Sequence, residues 1–197
     1  MQLPKYLTQD ELTRFFKAIP NQRDRALFAF IYHYGLRVEE ACLITLHDLD
    51  LKNHRVRLHR LKNGLGGEKP LWRHTAKLLR SYLRIRRDAG PYLFTGREGP
   101  LKKRPIQNLF KSDTYAAGIE RRSIHSLRHS IAVHLLEAGR GIEYVADHLG
   151  HRNIQNTHFY AQITNALREQ VMRELEHHPK IVRVAQRMNS PINLHTM

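Results

Sequence analysis

Only one cysteine, Cys42, occurs in the 197 residues, so the chain cannot form an internal disulfide bond. This suits a reducing compartment, and we expect a cytoplasmic protein. Hydrophobic runs are also short, because the longest, from Ala26 to Tyr32, falls far short of the ~20 residues that a membrane-spanning helix needs. No apolar segment of the signal-peptide type follows Met1. We therefore expect no association with a membrane.

Acidic residues are scarce relative to basic ones. The chain holds 18 Asp and Glu against 33 Lys and Arg, which gives a formal charge of +15 and a pI near 10.4. An excess of this size indicates a polyanionic partner, for which nucleic acid is the default. The hydrophobic fraction of 41% favours a globular enzyme over a ribosomal or other basic protein. No internal repeat or low-complexity linker divides the chain, and its length suits one core.

The motifs of common catalytic metal sites are missing from the sequence. No H-E-x-x-H occurs, and one cysteine cannot supply a thiolate set, although His125 and His129 have the i, i+4 spacing of a zinc pair. The acidic cluster of a two-metal nuclease is missing too. We therefore expect a site that uses neither a metal nor another cofactor. His134, His148 and His158 are interpreted as surface or packed histidines.

Helical patterns joined by short loops account for most of the chain. Thr8 and Glu11 form a capping box at the start of the first predicted helix. Residues 54–59 alternate between apolar and polar side chains, and the turn Lys62-Asn63-Gly64 lets residues 68–72 return as a partner strand. The predicted fold class is therefore mainly α with a small antiparallel β-sheet, that is, α+β.

The densest set of polar functional groups lies between His125 and Tyr160. Apolar residues at three- and four-residue steps predict an amphipathic helix here: Ile124, Leu127, Ile131, Leu135 and Ala138. His125 and Arg128 lie one turn apart on that helix, and His151 follows the end of a second helix. A phenol can act as a nucleophile, a guanidinium can bind phosphate oxygens, and imidazoles can move protons near neutral pH. Such a set suits phosphoryl transfer without a metal.

This stretch resembles the tyrosine recombinase (phage integrase) family, which cuts DNA through a phosphotyrosine. The family's H-x-x-R box matches His125 and Arg128. Its L-G-H box matches residues 149–151, and its nucleophile position, nine residues after His151, matches Tyr160. H-x-x-R alone occurs by chance, but the ordered set at the family's spacing is specific.

Two further positions of the family occur earlier in the chain. The G-L-R-x-x-E box matches residues 35–40, where Arg37 would bind the scissile phosphate and Glu40 is the acidic partner. For Arg37 the alternative is a surface ion pair with Glu40, which would add little stability. The family also places a lysine general acid at a hairpin, where Lys62 matches and Lys69 is the alternative.

The resemblance implies a mainly helical catalytic domain of the tyrosine recombinase type over residues 1–176, followed by a basic, poorly ordered tail over 177–197. The implied enzyme is a site-specific DNA strand transferase acting through a 3′-phosphotyrosine, in integration, excision or inversion. Basic residues around the boxes are expected to contact the DNA backbone: Arg55, Arg57, Lys102, Lys103, Arg104, Lys111, Arg121 and Arg122.

The family also implies an assembly. Its terminal helix docks on a neighbouring protomer and builds a ring of four around two duplexes. Leu167, Val171 and Leu175 mark such a helix here, so we expect a homotetramer on double-stranded DNA; the alternative is that the helix packs on its own core. Accessory DNA-bending proteins and a place in the nucleoid fit the same interpretation.

Within the family, the chain looks most like the short single-domain recombinases of fimbrial phase variation. The likeness lies in its length and in the sequences of residues 60–64 and 150–155. Two other functions stay open at this point. A type IB topoisomerase would use the same chemistry but rejoin the same strand. A non-catalytic DNA-binding regulator of a longer recombinase is the alternative from a different class, although binding alone has no need of the phenol.

Overall fold

The computed structural model describes residues 5–61, 64–97, 99–158, 160 and 172–173. These residues form helices and two small antiparallel sheets, which confirms the predicted α+β class. No helix within the described ranges is long and apolar enough to cross a membrane. The predicted tail over 177–197 and the residues predicted to form a terminal helix, Leu167, Val171 and Leu175, lie outside the described ranges.

Helices make up most of the regular secondary structure of the described residues. Their bounds are α1 Gln9–Ala18, α2 Gln22–Tyr34, α3 Val38–Leu43, α4 Arg73–Ile85, α5 Lys103–Ala116, α6 His125–Glu137 and α7 Ile142–Leu149. Residues 155–158 and 160 are helical as well. The predicted capping box is present at α1: the Thr8 hydroxyl accepts from the Glu11 amide, and the Glu11 carboxylate accepts from the Thr8 amide.

The main sheet is a three-stranded antiparallel meander. Its strands are β1 Leu49–Asp50, β2 Arg55–Leu58 and β3 Gly67–Pro70, in that order, and β4 Thr95–Gly96 pairs with β5 Gly99–Pro100 in a second sheet. The alternation predicted for β2 is confirmed, because Val56 and Leu58 are buried while Arg55 and Arg57 are exposed. Val56 pairs with Lys69 on β3, which sets the register of the hairpin that reaches the site.

Helix α6 is buried on nearly all sides, so the amphipathic pattern predicted for it is wrong. It packs against α2 and α7. Of the predicted apolar stripe, Leu135 is only half-buried and Ala138 is exposed, whereas Ser126 and Ser130 are buried. The Ser130 hydroxyl donates to the Ser126 carbonyl (2.7 Å) and accepts from the Leu7 amide (2.7 Å), so its polarity is satisfied inside the protein.

A second core cluster surrounds α6 and brings the end of the described chain back to it. Ile131, Val145, Leu149 and Tyr160 belong to this cluster, and Tyr160 is only 4% exposed. Burying an aromatic ring of this size contributes strongly to packing. The cluster therefore fixes Tyr160 beside the helix that carries Arg128.

Candidate active site

The G-L-R-x-x-E box, residues 35–40, forms the turn between α2 and α3 and the start of α3. Gly35 ends α2 in the left-handed region with φ 55°, and a Cβ there would lie 2.4 Å from Leu149 Cδ2. The left-handed backbone conformation favours glycine, and a larger residue would also displace the end of the Leu149 side chain. The turn places Arg37 immediately before α3, with its side chain 24% exposed. Arg37 is therefore anchored by its backbone and partly open to a ligand.

The carboxylate of Glu40 is fully buried and joins two parts of the site. One oxygen accepts from the Arg37 guanidinium (2.8 Å) and the Leu61 amide (3.1 Å). The other accepts from Arg60 (2.9 Å) and from the Arg37 amide (3.0 Å). Burial would raise the pKa of Glu40, but its bonds to Arg37 and Arg60 outweigh burial and hold the pKa below its usual value. The ion pair of Arg37 is thus not the surface pair considered as the alternative.

Arg60 is a residue that the sequence did not single out. Its side chain is 1% exposed, and besides Glu40 it donates to the carbonyls of Tyr34 (2.8 Å) and His148 (2.9 Å). It therefore ties the β2–β3 hairpin to the ends of α2 and α7. A signal was present, since Arg60 continues the buried face of β2 after Val56 and Leu58, where a charge is unexpected.

Arg128 is held between two helix ends. It is 5% exposed, and its guanidinium donates to the carbonyl of Gly35 and to that of Leu149, the latter at 3.0 Å. Burial, together with the positive charges of Arg37 and Arg60, lowers the pKa of Arg128 to about 10. The side chain is still cationic at neutral pH, and its carbonyl partners fix the direction in which it points.

The Tyr160 phenol lies in the field of both arginines. Burial raises the pKa of Tyr160, while the charges of Arg128 and Arg37 act to lower it. Its oxygen is 2.8 Å from Nδ1 of His129. The sequence had suggested His129 only as half of a zinc pair, and no group of three or more metal-ligating residues occurs within the described ranges. A neutral phenol beside two guanidiniums is the arrangement that a nucleophile for a phosphate requires.

The two histidines of the family boxes, His125 and His151, lie near Arg128 and Arg37. His151 follows α7, and its Nδ1 lies 2.8 Å from the buried Thr157 hydroxyl. Burial and the charges of Arg128 and Arg37 lower the pKa of His151 to about 4, so the ring is neutral at pH 7. His125 is exposed at the first residue of α6, and partial burial lowers its pKa as well.

The structure thus brings five of the six predicted catalytic residues together: Arg37, His125, Arg128, His151 and Tyr160. Lys62 lies outside the described residues, but the Leu65 amide donates to the Gly150 carbonyl (3.2 Å), so the hairpin loop reaches the turn that carries His151. Lys69, the alternative acid, sits on β3 in an ion pair with Asp147 at 2.6 Å.

The basic residues expected to face DNA differ in accessibility. Seven of the eight are exposed: Arg55, Arg57, Lys102, Lys103, Arg104, Lys111 and Arg121. Lys103 pairs with Glu39, which places the start of α5 beside α3 and Arg37. The Arg122 side chain is 13% exposed and bonded to Glu11 and Glu120, so it is the least suited to meet DNA.

Comparison with known proteins identifies the family of the chain. The model of the phage integrase family matches residues 5–166. Tyrosine recombinase XerA of Thermococcus kodakarensis is 35% identical over 168 residues, which cover 82% of this chain and 59% of the relative. Tyrosine recombinase XerC of Halalkalibacterium halodurans is 32% identical over 199 residues, covering 91% and 64%. The chain therefore spans about three fifths of the length of the relatives it matches.

Solved structures share the fold. A crystal structure of XerA recombinase superposes with a TM-score of 0.76 at 26% identity, covering 90% of this chain and 66% of that one. XerH site-specific recombinase bound to its palindromic difH substrate gives a TM-score of 0.74 at 22% identity, covering 87% and 53%, a likeness of fold alone. With a family model that matches residues 5–166, the chain belongs to the phage integrase family.

Proposed function

We propose that the chain is the catalytic part of a site-specific DNA recombinase that cuts and rejoins DNA through Tyr160. The observation that carries this proposal is the buried Tyr160 phenol within the electrostatic reach of Arg37 and Arg128. Both guanidiniums are oriented by protein groups, Arg37 by Glu40 and Arg128 by two backbone carbonyls. Charge clamps that are fixed in advance stabilise a developing phosphorane without reorganisation.

The reaction that this site supports is a two-step transesterification. Arg37, Arg128, His125 and His151 would hold the non-bridging oxygens while the Tyr160 oxygen attacks phosphorus. When the Thr157 hydroxyl donates to Nδ1 of His151, the ring proton resides on Nε2 and can be given to a phosphate oxygen. Lys62 would protonate the departing 5′-oxygen. The 3′-phosphotyrosine keeps the energy of the broken bond, so rejoining needs no ATP.

DNA is the proposed partner. XerH bound to difH and a lambda integrase dimer bound to a core site are recombinases of the same fold in complex with DNA. The exposed basic residues at β2 and at the start of α5 supply charges for its backbone. We further propose that residues 1–176 form the catalytic domain, that 177–197 form a basic tail, and that the protein works in the cytoplasm at the nucleoid. Assembly as a homotetramer through a terminal helix, and help from DNA-bending proteins, are proposed from the resemblance to the family.

An adduct assay tests the proposed activity. The target duplex is first recovered from a random-sequence pool by binding, and a nicked version is then incubated with the wild-type chain. We expect an SDS-resistant adduct at a 3′ end and recombinant product from two copies of the site. Relaxation of supercoils without recombination would instead indicate a topoisomerase, and binding without any adduct would indicate a regulator.

A salt titration tests the DNA-facing surface. If about six phosphates are neutralised, log K should fall with log[salt] at a slope of about −5. Lys102→Ala, at the start of α5, should reduce the slope by about 0.9, because one phosphate contact is lost. Lys77→Ala removes an exposed lysine from α4 and serves as the matched control, with the slope unchanged. Equal slopes for the two variants would place the DNA on another surface.

A further inference from the structure

The Tyr160 phenol contacts an imidazole that lies outside the family boxes. His129 follows Arg128 on α6 and is partly buried, with Nδ1 2.8 Å from the Tyr160 oxygen. The two rings lie 5.7 Å apart between centroids, at an interplanar angle of 48°. The contact is therefore a directed hydrogen bond between a side chain of α6 and the atom proposed to attack phosphorus.

The protonation states of the two bonded groups follow from their surroundings. Among the residues that the structure describes, the charged and titratable groups that act on His129 are His125 and Arg128 on its own helix, and its hydrogen-bond partner Tyr160 lies in the field of Arg37. Burial and the charges of His125 and Arg128 lower the pKa of His129 to about 4, while burial raises the pKa of the phenol. At neutral pH both groups are therefore neutral, and in the tautomer whose ring proton lies on Nε2 the phenol donates to Nδ1 of His129.

We propose that His129 is the proton acceptor for Tyr160, a catalytic residue in the reaction proposed above, on which this inference rests. As the Tyr160 oxygen forms its bond to phosphorus, the phenol proton moves to Nδ1 of His129. The bond from phosphorus to the 5′-oxygen breaks, and that oxygen takes a proton from the general acid, for which Lys62 is proposed. On rejoining, the 5′-hydroxyl returns its proton to the group that acted as the acid and attacks phosphorus. The bond from phosphorus to the Tyr160 oxygen then breaks, and that oxygen takes its proton back from His129.

The surrounding charges restrict this transfer to the DNA-bound protein. A protonated His129 beside Arg128 is unfavourable in the free chain. A phosphate between Arg37 and Arg128 brings negative charge to the same place, and this charge grows as the transition state forms. The imidazole therefore becomes a stronger base when the scissile phosphate is in position, so the nucleophile stays protonated until then.

The same helix contains a matched control. His134 is buried, and its Nδ1 lies 2.9 Å from the Tyr32 hydroxyl. Burial lowers the pKa of His134 too, but no arginine within the described ranges contributes to that shift. It thus reproduces the buried histidine–tyrosine hydrogen bond of α6 without the phosphate-binding groups.

The experiment measures adduct formation for His129→Asn, His129→Ala and His134→Asn on the selected duplex. A second duplex carries sulfur in place of the bridging 5′-oxygen, because a thiolate leaves without an acid. We expect His129→Asn to slow the reaction by at least about 100-fold near pH 7 on both duplexes, since Asn can accept the hydrogen bond but not the proton. Lys62→Ala should be slow on the first duplex alone. His134→Asn should react like the wild type.

The pH profile separates proton transfer from positioning. Between about pH 6 and 9 the wild-type rate should be nearly level, because the base stays unprotonated. The rate for His129→Asn should rise about tenfold per pH unit, because the phenolate must then form on its own. Circular dichroism and thermal midpoints establish that the variants are folded.

Three results would overturn the assignment. A wild-type rate and pH profile for His129→Asn, with loss only in His129→Ala, would leave His129 a positioning role. If His129→Asn regained the wild-type rate on the sulfur-bridged duplex, His129 would be the acid for the leaving 5′-oxygen and not the base for Tyr160. Absence of any adduct with the wild-type chain would overturn the proposed function itself, and this assignment with it.

Discussion

Replacing Glu40 with glutamine is expected to lower the free energy of unfolding by about 3–5 kcal/mol, because the substitution leaves a buried guanidinium without its counter-charge. Arg60 is 1% exposed and pairs with Glu40 at 2.9 Å. Water cannot take the place of the missing carboxylate at that depth. Urea unfolding followed by far-UV circular dichroism measures the loss.

Glu39→Gln is the matched control for this prediction. Glu39 is the preceding residue and forms an ion pair with Lys103. The Glu39 side chain is 40% exposed, and the Lys103 side chain is 49% exposed. Its removal should change stability by no more than about 1 kcal/mol. Equal losses of stability for the two variants would show that the buried Glu40–Arg60 ion pair stabilises the fold no more than the exposed Glu39–Lys103 pair does.

The cost of Glu40→Gln should also depend on pH. Because the pKa of Glu40 is below its usual value of 4.5 in the folded protein, its contribution is complete above about pH 4.5 and declines as the pH falls further. The stabilities of the wild type and the variant should therefore converge in acid. A difference that stays constant down to low pH would mean that the charge of Glu40 is not what stabilises the fold.

Tyr160→Phe should abolish covalent attachment to DNA, lowering its rate by at least about 10⁴-fold, while DNA affinity changes by less than about twofold. The ring stays in its cluster with Ile131, Val145 and Leu149, so the site keeps its shape. The lost hydrogen bond to His129 should cost about 1 kcal/mol of stability.

Tyr32→Phe is the control for that substitution. It removes the equivalent hydrogen bond to His134, and should cost similar stability while leaving adduct formation unchanged. If Tyr160→Phe still forms an SDS-resistant adduct, another residue is the nucleophile. Tyr144 would be the first to test, because it is 51% exposed and lies on α7.

The features that sequence predicted well are those written in local patterns. Thr8 and Glu11 have the spacing of a capping box. The alternation of apolar and polar residues around Val56 predicts which face of β2 is buried. The spacing of the boxes also predicts that Arg128 and Tyr160 lie near each other, and in the structure the charge of Arg128 acts on the Tyr160 phenol. In each case the relevant atoms are close in sequence, or the family pattern supplies the long-range link.

The features that sequence missed depend on contacts between distant segments. The apolar periodicity of α6 does not single out Ser130, which is buried with its hydroxyl bonded to two backbone groups. The four-way bonding of Glu40 joins α3 to a hairpin about twenty residues later, which no local rule reports. The bond from Tyr160 to His129 likewise spans 31 residues and needs the second core cluster to form.

Mass spectrometry of the trapped covalent complex tests the central claim most directly. The wild-type chain is incubated with the nicked duplex, the adduct is digested with nuclease and protease, and the peptide that carries the nucleotide is sequenced. We expect the nucleotide on the oxygen of Tyr160, linked through a 3′-phosphate. A nucleotide on any other residue, or no adduct on a duplex that the chain binds, would contradict the assignment of Tyr160 as the nucleophile.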